Sequence, residues 1–248
     1  MKSGKINNVL KKVIPAAVVT VIVGGFIFMW SFAGTHEAIM TSVGNLPTTQ
    51  DKQTIILDAG HGGIDGGCVS VNGISEKGIN LSIVESERDL LRVMGYDVVC
   101  TREEDKAIYD RGIEGLSNQK KSDMQNRLKI FSKYPEGISL SIHQNQFTDS
   151  KYSGAQMFYS EKNSDGERLA SSMQKQFVSM LQPQNTRETK PVGDELYLLN
   201  NTENAAVMIE CGFLSNPEEA ALLESESYQK QVAFTIMTGI FEYCDSTK

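Results

Sequence analysis

From residue 54 onward, short apolar runs alternate with longer amphipathic segments, and that alternation restricts the fold more than any other feature of the sequence. The short runs Thr54–Leu57, Tyr96–Thr101, Ile138–Ile142, Ala155–Tyr159, Leu196–Leu199 and Ala206–Ile209 read as strands. Between the first two, residues 76–94 carry Ile79, Ile83, Leu90, Leu91 and Met94 at helical spacing, and Gly95 ends the pattern. Further helices are expected at 122–134, 165–181 and 226–243. Strands separated by helices predict an α/β domain with a mixed, largely parallel sheet and helices on both faces. The chain has 248 residues and is 40% hydrophobic, which allows one substantial core, so a single domain is expected over 53–248.

The N-terminus follows other rules. Residues 13–33 contain no charge, and Lys2, Lys5, Lys11 and Lys12 precede them. About 20 apolar residues suffice to cross a bilayer as a helix, and flanking lysines favour the cytoplasmic side. The expected order is a cytoplasmic basic tail (1–12), a transmembrane signal anchor (13–33), a small polar linker (34–52) and an extracytoplasmic domain. A cleaved signal peptide is the alternative, but its apolar stretch is usually about 7 to 15 residues. Phe26, Phe28, Trp30 and Phe32 crowd the distal end, where rings favour the membrane interface. His36 falls in the linker and reads as solvated.

A net charge of −7, with no interleaving of basic and aromatic residues, argues against nucleic acid as a partner. The four cysteines, Cys68, Cys100, Cys211 and Cys244, match no zinc-finger spacing. Cys100 and Cys211 end apolar runs and read as small buried hydrophobes.

Three polar residues stand where strands end: His61 after the first, His143 after Ile138–Ile142, and Glu210 after Ala206–Ile209. Ligands of open α/β sheets gather beyond the carboxyl ends of the strands, so parallel neighbours would bring all three together. A carboxylate directly behind Val207, Met208 and Ile209 is partly desolvated and needs a proton or a cation. Two histidines and a carboxylate form a familiar zinc set. Glu76, at the start of the first helix, is the natural third ligand; its plainer role is an acidic residue favoured by the helix dipole behind the N-cap Ser75. The His61-Gly62-Gly63 turn also suggests a lipase-like oxyanion loop, but no G-x-S-x-G elbow occurs. Cys68 and Cys211 stand as alternative thiol nucleophiles or spare ligands.

In order along the chain, D58-A-G-H61-G-G-x-D65, E76-K-x-x-N80-L81, T101-R102, S141-I-H143-Q-N145 and E210-C-G-F-L-S-N216 resemble the zinc-dependent N-acetylmuramoyl-L-alanine amidases of the amidase 3 family. The resemblance implies a zinc-exopeptidase-like hydrolase fold, one Zn2+ per chain on His61, Glu76 and His143, and Glu210 as the catalytic glutamate. It implies peptidoglycan as the substrate, cut between the lactyl group of N-acetylmuramic acid and L-alanine. The stretches K121–R127, G154–Y159, N185-T-R187 and E195–L199 look most like the germination-specific, spore-cortex branch, whose products lead to muramic δ-lactam. That branch implies work on the cell-wall side of a membrane or in the forespore intermembrane space, with an extracytoplasmic accessory protein as a further partner to test. Asp58 is expected to orient a ligand imidazole, Asn80 and Asn145 to contact substrate or support loops, and Arg102 to act as support. The loop reads D65-G-G-C68 where the family commonly has D-P-G-A. The rival functions are a zinc peptidase of similar fold and a non-catalytic, zinc-containing peptidoglycan-binding protein.

Overall fold

The structure, a computed structural model, describes residues 53–246. The expected tail, anchor and linker lie outside the described residues. Among the described residues, no helix is long and apolar enough to cross a membrane.

Six strands form one sheet: β1 (Ile55–Ala59), β2 (Val98–Cys100), β3 (Ile138–Asn145), β4 (Gln156–Ser160), β5 (Lys190–Val192) and β6 (Ala205–Phe213). Six helices surround it: α1 (Glu76–Val93), α2 (Leu116–Phe131), α3 (Ser164–Met180), α4 (Tyr197–Asn201), α5 (Pro217–Leu223) and α6 (Glu226–Ser246). The strand order is β2-β1-β3-β6-β4-β5. β2, β1, β3 and β6 run parallel, while β4 is antiparallel to β6 and parallel to β5. The sheet is therefore mixed and mostly parallel, as the sequence predicts.

Alternation along the strands assigns the two faces. Ile55, Leu57 and Ala59 of β1, with Ile138, Leu140 and Ile142 of β3, pack in one buried cluster with Ile79, Ile83 and Leu91 of α1, Met173 and Phe177 of α3, and Ile236 and Ile240 of α6. On the other face Ile56 packs with Phe131 of α2 and Leu198 of α4. Asp58 and Ser141, paired in register, continue the Ile56 face, and this places a carboxylate under α2.

Two local expectations change, and two short elements, β5 and α5, are additional. The run Leu196–Leu199 is helical, as α4, not a strand; Leu198 joins the Ile56 cluster and Leu199 the one around Val192 and Ala206. Four apolar residues carry no period that separates strand from helix. One edge of the sheet is β5, where Pro191 is tolerated because an edge strand leaves N–H positions unpaired. α2 begins at Leu116, earlier than its apolar pattern shows, after Gly115 at φ 81°. α5 has a legible start: Asn216 accepts from the N–H groups of Glu218 and Glu219, with Pro217 in the first turn.

One core residue opposes the fold. Glu87 of α1 is fully buried, and neither carboxylate oxygen has a hydrogen-bond partner among the described residues. Burial pushes its pKa well above the usual glutamate range. A raised folded pKa means that this group's contribution to stability is fully present below the unfolded value and is lost as pH rises through the folded one. Urea unfolding across pH should show wild-type stability falling above the ordinary glutamate range, whereas Glu87→Gln removes that slope. Glu87→Leu should gain about 1–3 kcal/mol near pH 7, the scale of an unsatisfied buried polar group. An unchanged slope in Glu87→Gln would show that the carboxyl is satisfied in solution.

Candidate metal centre

β1, β3 and β6 are adjacent and parallel, so His61, His143 and Glu210 meet at one edge of the sheet. His143 and Glu210 are paired in register, and paired residues project to the same face. Glu76, in the first turn of α1, enters from beside them. His61 Nε2 lies 3.2 Å from Glu76 Oε2, and His143 Nδ1 lies 3.0 Å from Glu76 Oε1. One ligand atom from each of the three residues falls within 4.8 Å of the others. The two rings meet edge to face, with centroids 4.9 Å apart.

Hydrogen bonds fix the carboxylate before any ligand arrives. Glu76 Oε2 accepts from the Cys68 N–H (2.9 Å), and Oε1 accepts from the Gln144 N–H (3.0 Å) and Asn80 Nδ2 (3.1 Å). Asn80 also donates to the Gly60 carbonyl (3.3 Å) and accepts from Gln144 Nε2 (3.1 Å), so it couples the carboxylate to the loop. Two glycines make room: a Cβ at Gly60 would sit 2.3 Å from His143 Cε1, and one at Gly67 would sit 2.5 Å from Glu76 Oε2.

The loop itself is strained and then pinned. His61 has φ 62°, a left-handed conformation that costs a non-glycine residue about 1–2 kcal/mol. Two buried arginines hold it there. Arg102 donates to the carbonyls of Ala59 (2.9 Å), Gly60 (2.9 Å) and Lys77 (2.8 Å). Arg127 of α2 donates to the carbonyls of Ala59 (2.8 Å) and His61 (2.7 Å), and pairs with Asp58 and Asp123.

Asp58 thus acts differently from the sequence expectation. Its oxygens accept from Arg127, Thr101 (2.7 Å) and Ser141 (2.6 Å), and it reaches the site through Arg127 and the loop backbone, not through an imidazole. The reason is strand parity, which turns Asp58 toward α2. The carboxylate that meets the His61 ring is Asp65, whose Oδ2 lies 2.9 Å from His61 Nδ1. That contact leaves Nε2 facing Glu76. Asn145 closes its own turn: Oδ1 accepts from the Gln146 N–H (2.8 Å), and its carbonyl accepts from the Leu214 N–H (2.8 Å).

The electrostatics separate the two glutamates. Burial raises the pKa of Glu76, but the hydrogen bonds and charges of His143 and His61 outweigh it and keep Glu76 ionised far below the usual range. Burial likewise opposes charge on His61, yet Glu76 and Asp65 hold its imidazolium up to about 9. Glu210 lacks comparable support. Its Oε2 is enclosed without a hydrogen-bond partner among the described residues, and burial lifts its pKa to about 7, with Glu76 adding to the rise and the histidines opposing it. Neither thiol near the site is activated: burial raises Cys68 and Cys211 far above the ordinary cysteine value, with nearby glutamates adding to it. A cysteine nucleophile is therefore disfavoured.

The family model for N-acetylmuramoyl-L-alanine amidases, amidase 3, matches residues 55–242. A germination-specific N-acetylmuramoyl-L-alanine amidase of Bacillus subtilis is 38% identical over 189 residues, which cover 76% of this chain and 78% of that protein. The solved structure of the CwlD amidase from Clostridioides difficile in complex with the GerS lipoprotein is 40% identical, with a TM-score of 0.76, covering 79% of this chain and all of that one. The catalytic domain of the amidase CwlV from Bacillus (Paenibacillus) polymyxa is 28% identical, with a TM-score of 0.66 over 78% of this chain and 99% of that one. A family match over nearly the whole described domain, on a sheet edge that gathers His61, Glu76, His143 and Glu210, shows that the chain belongs to the amidase 3 family of N-acetylmuramoyl-L-alanine amidases.

Proposed function

We propose that this amidase works as a one-zinc hydrolase, with His61, Glu76 and His143 as ligands and Glu210 as the proton carrier. The observation that carries the reading is the grouping of those three ligand atoms within 4.8 Å beside a buried, unpartnered Glu210 oxygen. The donor set suits the ion. Two imidazoles and one carboxylate are a common catalytic zinc set, and among the described residues the buried charge of Glu76 faces the two rings and no lysine or arginine within ion-pair distance. Zinc in such a site polarises the amide carbonyl and acidifies a water molecule.

The chain's own residues do the remainder. Asp65 keeps His61 Nδ1 engaged so that Nε2 serves as the ligand atom. Glu210 takes the proton of the attacking water as the new C–O bond forms on the lactyl carbonyl. It then delivers that proton to the departing L-alanine nitrogen as the C–N bond breaks. A pKa near 7 suits a group that must both accept and donate.

Similarity to the germination-specific relative supports a role in spore cortex, on the path to muramic δ-lactam. The complex of the CwlD relative with a lipoprotein supports an extracytoplasmic protein partner here too. Residues 13–33 are proposed as an uncleaved membrane anchor ahead of a 34–52 linker; a mature protein whose mass places its N-terminus near residue 34 would reject the anchor.

Purified peptidoglycan tests the function. Intact stem peptides beginning with L-alanine should appear in the digest, glycan strands should stay uncut, and a chelator should stop release until zinc is restored. Free disaccharides, or cuts only inside the peptide, would reject the reading. Zinc loading without any release would mark a binding protein instead.

A further inference from the structure

The N185-T-R187 motif has no part in the metal centre, yet the fold brings it to the neighbouring edge. Asn185 Oδ1 accepts from the Arg187 N–H (2.9 Å), while Asn185 Nδ2 donates to the Ala155 carbonyl (2.9 Å) and to Gln182 Oε1 (3.0 Å). This turn aims Arg187 at β4. There Arg187 donates to Gln156 Oε1 through Nη2 (2.6 Å) and Nε (3.2 Å), and its guanidinium carbon lies 4.9 Å from the centre of the Phe213 ring. Gln156 is paired in register with Glu210, and Glu210 with His143. His143, Glu210 and Gln156 therefore form one row on a single face, and Arg187 extends it by one side chain.

The charge of Arg187 has no salt-bridge partner among the described residues, and its guanidinium hydrogen bonds, from Nε and Nη2, both go to Gln156 Oε1. The acid whose field it shares is Glu219, whose two oxygens already accept from the N–H groups of Gly154 and Phe213, both at 2.8 Å. Arg102 and Arg127, by contrast, are buried and saturated by carbonyls and aspartates. An arginine braced from behind by an amide and a ring keeps a forked donor set for an anion. Strands stand about 4.8 Å apart and extended peptide advances about 3.4 Å per residue. A carboxylate one or two residues beyond the scissile amide thus comes within reach.

Resting on the reading of the chain as a stem-peptide amidase, we propose that Arg187 is a specificity residue that binds a free carboxylate of the stem peptide. The test uses two muropeptides that differ only in that carboxylate, free in one and converted to a carboxamide in the other. Wild-type kcat/KM should favour the free acid by about ten- to a hundredfold, mostly through KM, as expected for losing a charge-assisted pair. Arg187→Gln should bring the acid down to the amide while leaving kcat on the amide unchanged, and Arg187→Lys should recover part of the preference. Equal wild-type rates on the two substrates, or an undiminished preference in Arg187→Gln, would overturn the proposal. An equal loss on both substrates in Arg187→Gln would also overturn it, by marking a structural role. Cleavage of neither by the wild type would instead sink the substrate reading on which it rests.

Discussion

Glu210→Gln is expected to keep the fold and close to one zinc per chain while losing roughly two to four orders of magnitude in kcat, the scale of a lost general base. Glu210 is not in the group of ligand atoms around Glu76, and an amide of nearly the same shape in its place should leave both histidines where they are. It also removes a buried acid held at about 7 with one unpartnered oxygen, so stability should not fall. The free-enzyme pH profile carries the same signature. Activity that needs ionised Glu210 should rise with pH through the pKa of that group, and this limb should be missing from whatever rate Glu210→Gln retains. Steady-state rates with metal analysis on the same preparation provide the check.

Glu76→Gln should behave in the opposite manner and lose the metal. In the proposed site Glu76 supplies the anionic ligand oxygen, and its ionised form is held by three N–H donors and two imidazoles. An amide in its place is a neutral, weaker oxygen ligand and presents an NH2 group to donors that need an acceptor. Activity should fall with metal content, and excess zinc should recover part of it. Loss of the imidazole partner also changes titration: His61, held up to about 9 largely by Glu76, should titrate closer to an ordinary histidine in the metal-free variant, which NMR can follow.

How much of this was legible in the sequence depends on which force sets each feature. The strand ends carrying His61, His143 and Glu210 were readable because continuous apolar runs stop abruptly at a polar residue, and parallel β1, β3 and β6 then align them. Glu76 was readable only as a residue at a helix start; its place between the two histidines depends on where α1 meets the sheet edge. Arg127 has no motif of its own in the sequence, although it stands four residues after Asp123 on the buried side of α2. A charged pair at that spacing on an inward face is the signal that would have found it. The contacts of Asp58 follow from its place two residues after Ile56, which fixes the face, but no sequence pattern shows that Asp65 turns back on His61. That contact needs the left-handed backbone at His61 and the tight Gly62–Asp65 turn. Leu196–Leu199 reads as a strand but folds as a helix because tertiary packing against both Ile56 and Val192, not local period, decides its form.

The most direct measurement is zinc content and turnover determined side by side on purified Glu76→Gln and Glu210→Gln. The expected result is an empty or weakly loaded Glu76→Gln and a loaded but nearly inactive Glu210→Gln. A loaded, merely slowed Glu76→Gln beside an empty Glu210→Gln would contradict the assignment and exchange the two roles.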